Sequence, residues 1–336
     1  MTSNTQKTET KQTGLPRFLK DRRVQLSVDT SGYCQARCAL CVWPYLQPSR
    51  RMMTLDEFAL VLERFAGFGF SEFAFNSINE PFADALIIQK MQMLIDSDLV
   101  VDNMFFSSNW LIPKSHRIAA FISTIDAAVK SPTIGGVSLN ATVSGIDQAS
   151  YDKFQAGSAL ENTVAKYKSM DFLIAVQKTA EFIDGLSKAV PFGAVVMVRI
   201  KAYGEDFEQQ SYEKFWRTTL DVSGIDQKWV ARHVKMIVNH GLTTFGRNKA
   251  REQIRGAKCQ MNWLDDMLVV GPDGSLGLCC QEGARKVKIG SLLTHSLDEI
   301  ARSDTFQKHL AITRGEKPPD AKHLCASCEW YTSASC

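Results

Sequence analysis

Along the chain, apolar positions alternate between a period of two and a helical spacing. "VQLSVDTS" (24–31) is a first strand candidate. "TLDEFALVLERFAGFG" (54–69) follows, opening with Thr54 and Glu57 as a capping box and carrying apolar residues at helical spacing. The strand-like "SEFAFNS" (71–77), the helical "DALIIQKMQMLIDSD" (84–98) and the strand-like "VDNMFFSSN" (101–109) continue the alternation. After another helix comes "IGGVSLNATVS" (134–144), then a helix pair up to about Lys188, then "GAVVMVRIK" (193–201). Helical "SYEKFWRTTLDV" (211–222) and strand-like "HVKMIVN" (233–239) close the series. About six strand–helix units in succession predict an α/β fold with a parallel sheet and helices outside it. Six falls short of the eight of a closed barrel, so the expectation is a partial (β/α)6 TIM-like barrel, with chemistry at the C-terminal ends of its strands.

The texture changes near residue 250. "GRNKAREQIRGAKC" (246–259) is basic and loop-like. "DMLVVGPDGSLGLCC" (266–280) reads as a hairpin with apolar arms around Pro272, Asp273 and Gly274. "SLDEIARSDTFQKHLA" (296–311) reads as one helix capped by Ser296 and Glu299. The expected organisation is a short or disordered lead-in over 1–23, a barrel over 24–250, and a small β-hairpin and helix subdomain over 251–336.

At 336 residues and 45% hydrophobic content, the chain can bury a core without disulfide staples. A net charge of +3, with basic residues scattered, argues against a nucleic-acid partner. The polar first residues have no apolar core of a signal peptide, and no apolar run is long enough to span a membrane. The expected compartment is therefore the reducing cytoplasm, where nine cysteines in clustered spacings read as metal-binding or catalytic.

The first group is Cys34, Cys38 and Cys41 in "DTSGYCQARCALCVWP" (29–44), on the loop after the first strand. Zinc needs a fourth ligand, and the residues that follow offer no His or Cys. Three thiolates suit a [4Fe–4S] cluster with one iron left for a ligand. The spacing C-x3-C-x2-C, with apolar Leu40 before the third cysteine, resembles the signature of the radical S-adenosylmethionine (radical SAM) superfamily. The resemblance extends over about residues 24–240. It implies that S-adenosylmethionine (AdoMet) completes the cluster, and that its reductive cleavage gives a 5′-deoxyadenosyl radical that abstracts hydrogen from a substrate. It also implies AdoMet contacts. "NSINEPF" (76–82) resembles the family's G-G-E-P segment and matches it at Glu80 and Pro81, while Ile78 and Asn79 replace the glycines. "FFSSN" (105–109) offers Ser107 or Ser108, "GVSLN" (136–140) offers Ser138 and Asn140 for the ribose, and Arg199 is a candidate for the AdoMet carboxylate.

Cys259, Gly274 and Cys279 have the form C-x14-G-x4-C, and Cys325 and Cys328 add C-x2-C. Four thiolates can close a [4Fe–4S] cluster or a structural zinc site. The layout resembles the twitch subdomain, the short form of the SPASM extension, which implies one auxiliary [4Fe–4S] cluster and hence two per chain. Cys280 directly follows a ligand and would point the opposite way in a strand. It is a candidate packing residue, an alternative ligand, or a catalytic thiol that returns a hydrogen atom to a substrate radical. Cys336 is a frayed terminal thiol or a spare ligand.

The twitch enzymes that this layout resembles include a dehydrogenase that oxidises an alcohol carbon and an epimerase that inverts one. The short lead-in is too small for a peptide-recognition domain. The favoured function is therefore dehydrogenation or epimerisation of a small polar substrate (sugar, aminocyclitol or nucleoside) in natural-product biosynthesis. An external electron donor such as flavodoxin or ferredoxin is implied. The alternatives are a ribosomal-peptide maturase and a non-catalytic iron–sulfur electron-transfer protein.

Overall fold

A computed structural model of the chain describes residues 14–36, 38, 41, 51–157, 171–204, 208–239, 257–280, 287–328 and 331–332. Six parallel strands form its centre: β1 (Arg23–Val28), β2 (Gly69–Ala74), β3 (Met104–Ser108), β4 (Val137–Thr142), β5 (Val196–Tyr203) and β6 (Val234–Asn239). They lie side by side in chain order in an open sheet, with a two-residue strand, Val100–Val101, also paired to β2. The six expected units are all present, and the barrel is partial.

Between the strands run α1 (Leu55–Arg64), α2 (Ile87–Ile95), α3 (Ser115–Lys130), α4 (Phe172–Ala189), α5 (Gln209–Val222) and α6 (Gln227–His233). The predicted capping box opens α1: the Glu57 amide donates to Thr54 Oγ1 at 3.1 Å, and the Thr54 amide donates back to Glu57 Oε2 at 2.9 Å. Strand alternation separates two faces. On β5, Val196, Val198, Ile200 and Ala202 are buried, whereas Met197, Arg199, Lys201 and Tyr203 are only partly covered. The first set joins the apolar core and the second lines the hollow of the barrel.

On the other side of β1 the sheet continues. Strand β7 (Met267–Val270) pairs with β1 in parallel, and β8 (Ser275–Gly277) and β9 (Lys288–Ser291) follow antiparallel. The hairpin therefore extends the barrel's own sheet. The expected boundary near 250 lies outside the described residues. The turn closes with the Gly274 amide donating to the Gly271 carbonyl at 2.9 Å. Gly274 has φ +71°, and a Cβ there would stand 2.4 Å from Leu293 Cγ, so both conformation and space demand glycine.

One expectation is corrected. The late helix is two helices, α7 (Leu297–Arg302) and α8 (Asp304–Thr313), broken at extended Ser303. Ser296 caps the first, and Ser303 caps the second by accepting from the Phe306 amide at 3.2 Å. Two serine caps in one apolar pattern make two helices.

Candidate active site and auxiliary cluster cavity

The three-cysteine loop leaves the C-terminal end of β1 and is held there by its neighbours. The Met53 amide donates to Thr30 O at 2.9 Å, and the Glu80 amide donates to Tyr33 O at 3.1 Å. Cys34, Cys38 and Cys41 are half-buried and none forms a disulfide. Burial raises the pKa of Cys34, and the charges of Glu80, Cys38 and Cys41 raise it further. Burial also raises Cys38, followed by Cys41. These mutual effects place the three thiols in one group beside Glu80, where metal binding must release their protons. Leu40 lies outside the described residues.

Glu80 is not a loop-surface carboxylate: it is 2% exposed. Its Oε1 accepts from Ser108 Oγ at 2.8 Å and the Phe82 amide at 3.1 Å, and its Oε2 accepts from the Asn109 amide at 2.9 Å. Burial outweighs these bonds and pushes its pKa up to about 7. Pro81 is buried at the first position of the 3-10 turn Pro81–Ala83, which Glu80 caps. The pair thus locks the end of β2 to the end of β3.

Ser107 and Ser108 separate. Ser108 is buried, with its hydroxyl committed to Glu80 and to the Trp110 amide at 2.9 Å. Alternation turns it to the opposite face from Ser107. Ser107 pairs in register with Asn140, Asn140 with Arg199, and Arg199 with Lys235, so these four share the inner face. Ser138 lies two residues before Asn140 on that face and is 8% exposed.

Among the described residues, several buried polar atoms around this mouth have no partner: Thr30 Oγ1, Ser77 Oγ, both ends of the Asn79 carboxamide, and Asn140 Oδ1. Unsatisfied buried groups are costly, and a polar ligand would relieve them. Asn79 stands where the resemblance expects glycine, so the departure places a carboxamide in the site. Sequence reasoning missed three residues here. Asn109 accepts from Gln35 Nε2 at 2.7 Å and points Nδ2 at Cys34 Sγ, 4.0 Å away. Lys201 and Tyr203 share the inner face of β5 with Arg199. Their signal was the apolar alternation of "VMVRIKAY", which marks every second residue as inward.

The second cysteine group occupies the opposite end of β1. A cavity of about 170 Å³ is lined by Cys259, Cys279, Cys280, Cys325 and Cys328, with Met261, Trp263, Leu278, Thr313, Leu324 and Tyr331. Cys259 also lines a groove with Arg17, which precedes β1. The Phe18 amide donates to Asp265 O at 2.9 Å, and Asp265 accepts from Arg314 at 2.9 Å and 3.0 Å. Tyr331–Thr332 pairs antiparallel with Lys258–Cys259, bringing the C-x2-C segment to Cys259. The expected divergence of Cys280 is corrected. Strand β8 ends at Gly277, so alternation lapses and both Cys279 and Cys280 face the cavity.

His323, two residues before Cys325, was also missed. Its Nδ1 accepts from the Cys325 amide at 3.2 Å, and its Nε2 lies 3.0 Å from His309 Nδ1. With Nδ1 accepting, neutral His323 carries its proton on Nε2 and donates to His309. Among the described residues, no three His, Cys, Asp or Glu side chains close on a single ion. Thiols spread around a cavity fit a cluster, whose irons sit at separate corners, better than one tetrahedral zinc.

Residues 259–329 match the family model of SPASM, an iron–sulfur cluster-binding domain. SuiB of Streptococcus suis bound to S-adenosylmethionine is similar in structure: TM-score 0.54, 12% identity, covering 93% of this chain and 73% of that one. So is anSMEcpe with bound AdoMet: TM-score 0.53, 12% identity, 92% and 86% covered. The chain shares the fold of these AdoMet-bound proteins, and its C-terminal segment matches the SPASM model. BtrN in complex with AdoMet and 2-DOIA matches at TM-score 0.48 and 11% identity, with 91% and 92% covered. No curated protein matches the sequence. On this barrel, the residues present fit both implied groups. Among the described residues, three grouped thiols and buried unpartnered polar atoms lie at the C-terminal mouth, and a cysteine-lined apolar cavity lies in the segment that matches the SPASM model.

Proposed function

We propose that the chain is a radical SAM enzyme that abstracts a hydrogen atom from a small polar substrate, with dehydrogenation as the favoured outcome. The observation that supports it most is the barrel mouth, where Cys34, Cys38 and Cys41 gather beside buried polar atoms that lack partners. When bound and reduced, a [4Fe–4S] cluster with AdoMet supplies a 5′-deoxyadenosyl radical. The chain's residues bind and orient. Cys34, Cys38 and Cys41 hold three irons. Glu80, fixed by Ser108 and Asn109, and the Asn79 carboxamide face the methionine end. Arg199 takes the AdoMet carboxylate, Ser107 lies beside it, and Ser138 and Asn140 meet the ribose. Pro81 shapes the turn that follows Glu80.

In the SPASM cavity, Cys259, Cys279, Cys325 and Cys328 hold an auxiliary [4Fe–4S] cluster. All its irons are then occupied by protein thiolates, which suits electron relay to or from an external donor such as flavodoxin or ferredoxin. A peptide substrate is the second reading, because SuiB has also been solved bound to precursor peptide SuiA and anSMEcpe with a peptide. The test is anaerobic reconstitution followed by reduction with AdoMet present. The expected product is 5′-deoxyadenosine. Protein that carries its full iron yet leaves AdoMet intact would overturn the proposal.

A further inference from the structure

Among the described residues, the inner face of β5 carries two cations that no carboxylate pairs. Arg199 and Lys201 both point inward from β5, two residues apart, and Arg199 is in register with Lys235 on β6. Lys201 is within electrostatic reach of Glu72, which comes from β2, three strands away across the sheet. Only a side chain on the concave face reaches that far. Yet Glu72 pairs with neither cation. Its Oε1 accepts from Gln25 Nε2 at 3.0 Å and its Oε2 from Asn103 Nδ2 at 2.7 Å. Among the described residues, the Lys201 ammonium has no salt-bridge or hydrogen-bond partner. Burial lowers its pKa, and the Arg199 charge lowers it further. Of the other described carboxylates at the mouth, Glu80 accepts from Ser108, Phe82 and Asn109, and buried Asp29 accepts from the Ser77 amide.

AdoMet does not repair this imbalance. Its one carboxylate is the partner assigned to Arg199, which leaves Lys201 without an anion. Beside Arg199 in register, Asn140 is 4% exposed with its Oδ1 free to accept from a ribose hydroxyl, so AdoMet satisfies that acceptor but not the Lys201 ammonium. Desolvated cations without counter-ions are costly and favour an anion.

We propose that Lys201, with Arg199 beside it, holds an anionic group of the substrate inside the barrel, a carboxylate or a phosphate. The inference rests on the reading of the mouth as an AdoMet site for its assignment of Arg199. It narrows the substrate from any small polar molecule to an acid or phosphate ester.

The probes are inorganic phosphate and malonate, titrated calorimetrically into reconstituted, AdoMet-loaded protein without oxygen. AdoMet itself is titrated first in every variant. At least one anion should bind the wild type. Lys201→Met should weaken it by about tenfold or more, the loss expected for a hydrogen bond to a charged group, while Lys201→Arg should retain it. Tighter phosphate would indicate a phosphate ester, tighter malonate a carboxylic acid. If Lys201→Met fails to bind AdoMet through misfolding, Lys201→Gln takes its place in the same comparison. Absence of anion binding to the AdoMet-loaded wild type, or equal affinity without the lysine ammonium, would overturn the inference alone. Failure of the wild type to bind AdoMet would overturn the underlying reading instead.

Discussion

The two cysteine groups sit at opposite ends of β1 and are built on opposite plans. The upper group comes from one short loop, its thiols half-buried, among polar atoms without partners. The lower group draws on segments around 259, 279 and 325, far apart in sequence, and packs them against tryptophan, methionine and leucine. An open set of three beside unsatisfied polar groups is suited to admitting a ligand. A surplus of thiols in an apolar wall is suited to closing around a cluster. The six residues of β1 between them span on the order of 20 Å at the usual strand rise, so a group at one end cannot touch a substrate at the other.

The strongest way to break this comparison is to empty each end in turn. Reconstituted wild type should carry about eight irons, two cubanes' worth. Replacing Cys34, Cys38 and Cys41 by Ala should leave about four and abolish 5′-deoxyadenosine formation. Replacing Cys325 and Cys328 should also leave about four, but AdoMet cleavage should persist while product formation stops. Zinc in place of iron at the lower site, in protein purified anaerobically, would remove the relay role.

A large stability effect is expected from the upper scaffold. Asp84 and Lys90 form an ion pair with both side chains fully buried, and Lys90 Nζ also donates to Met53 O. The Leu86 amide donates to Asp84 Oδ1 at 2.8 Å, and Arg117 donates to the carbonyls of Phe82 and Asp84 at 2.9 Å and 2.8 Å. This knot fixes the turn after Glu80. Lys90→Met should cost about 3–5 kcal/mol by stranding a buried carboxylate. The double change with Asp84→Asn should recover part of it in denaturant melts. No recovery would mean that lysine packing, rather than charge, matters there.

Glu80→Ala should weaken AdoMet binding by about 1.5–3 kcal/mol in equilibrium titrations, with iron loading unchanged. Because Glu80 also clamps Ser108 and Asn109, Glu80→Gln is the sharper variant: it keeps the shape and loses the charge. An unaltered AdoMet dissociation constant in both would confine Glu80 to holding β2 and β3 together.

Much of this was legible in the sequence because its signals are local. A capping box, a period-two strand and a cysteine spacing each lie within a few residues, so six strands and the three-cysteine loop could be read directly. What escaped reading depends on where chain segments end or meet. The Ser303 break looked like continuous helix because both halves keep the apolar spacing. Cys280 looked outward because β8 was expected to run on past Gly277. Ser108 and Ser107 could be separated only by register, and the unpaired Lys201 only by finding Glu72 already bound to Gln25 and Asn103.

A smaller effect is expected at the lower site from acid. Burial, then neighbouring His323, holds the pKa of His309 down at about 4 against an ordinary value of 6.5. Between those values the unfolded chain takes up a proton that the folded chain refuses. Stability should therefore fall as pH drops from about 6.5 towards 4, by about 1–2 kcal/mol given partial solvent screening. Melting curves of His309→Phe should lack that part of the slope, and an identical slope would exclude His309 as its source.

The smallest effect is expected from Cys280, and it tests the separation itself. A thiol donor must reach the substrate radical, and an exchangeable S–H would deliver solvent deuterium to the product. Cys280 instead faces the lower cavity with four other cysteines. Four thiolates close a cubane, and Cys279 is the more buried of the adjacent pair. Cys279→Ser should therefore cost about four irons, while Cys280→Ser should keep its iron and its turnover. Wild-type turnover in D2O should then place no deuterium at the reacting carbon, as dehydrogenation requires. Deuterium in the wild-type product, lost together with that product in Cys280→Ser, would bring the two ends of β1 together in one active site and make the enzyme an epimerase.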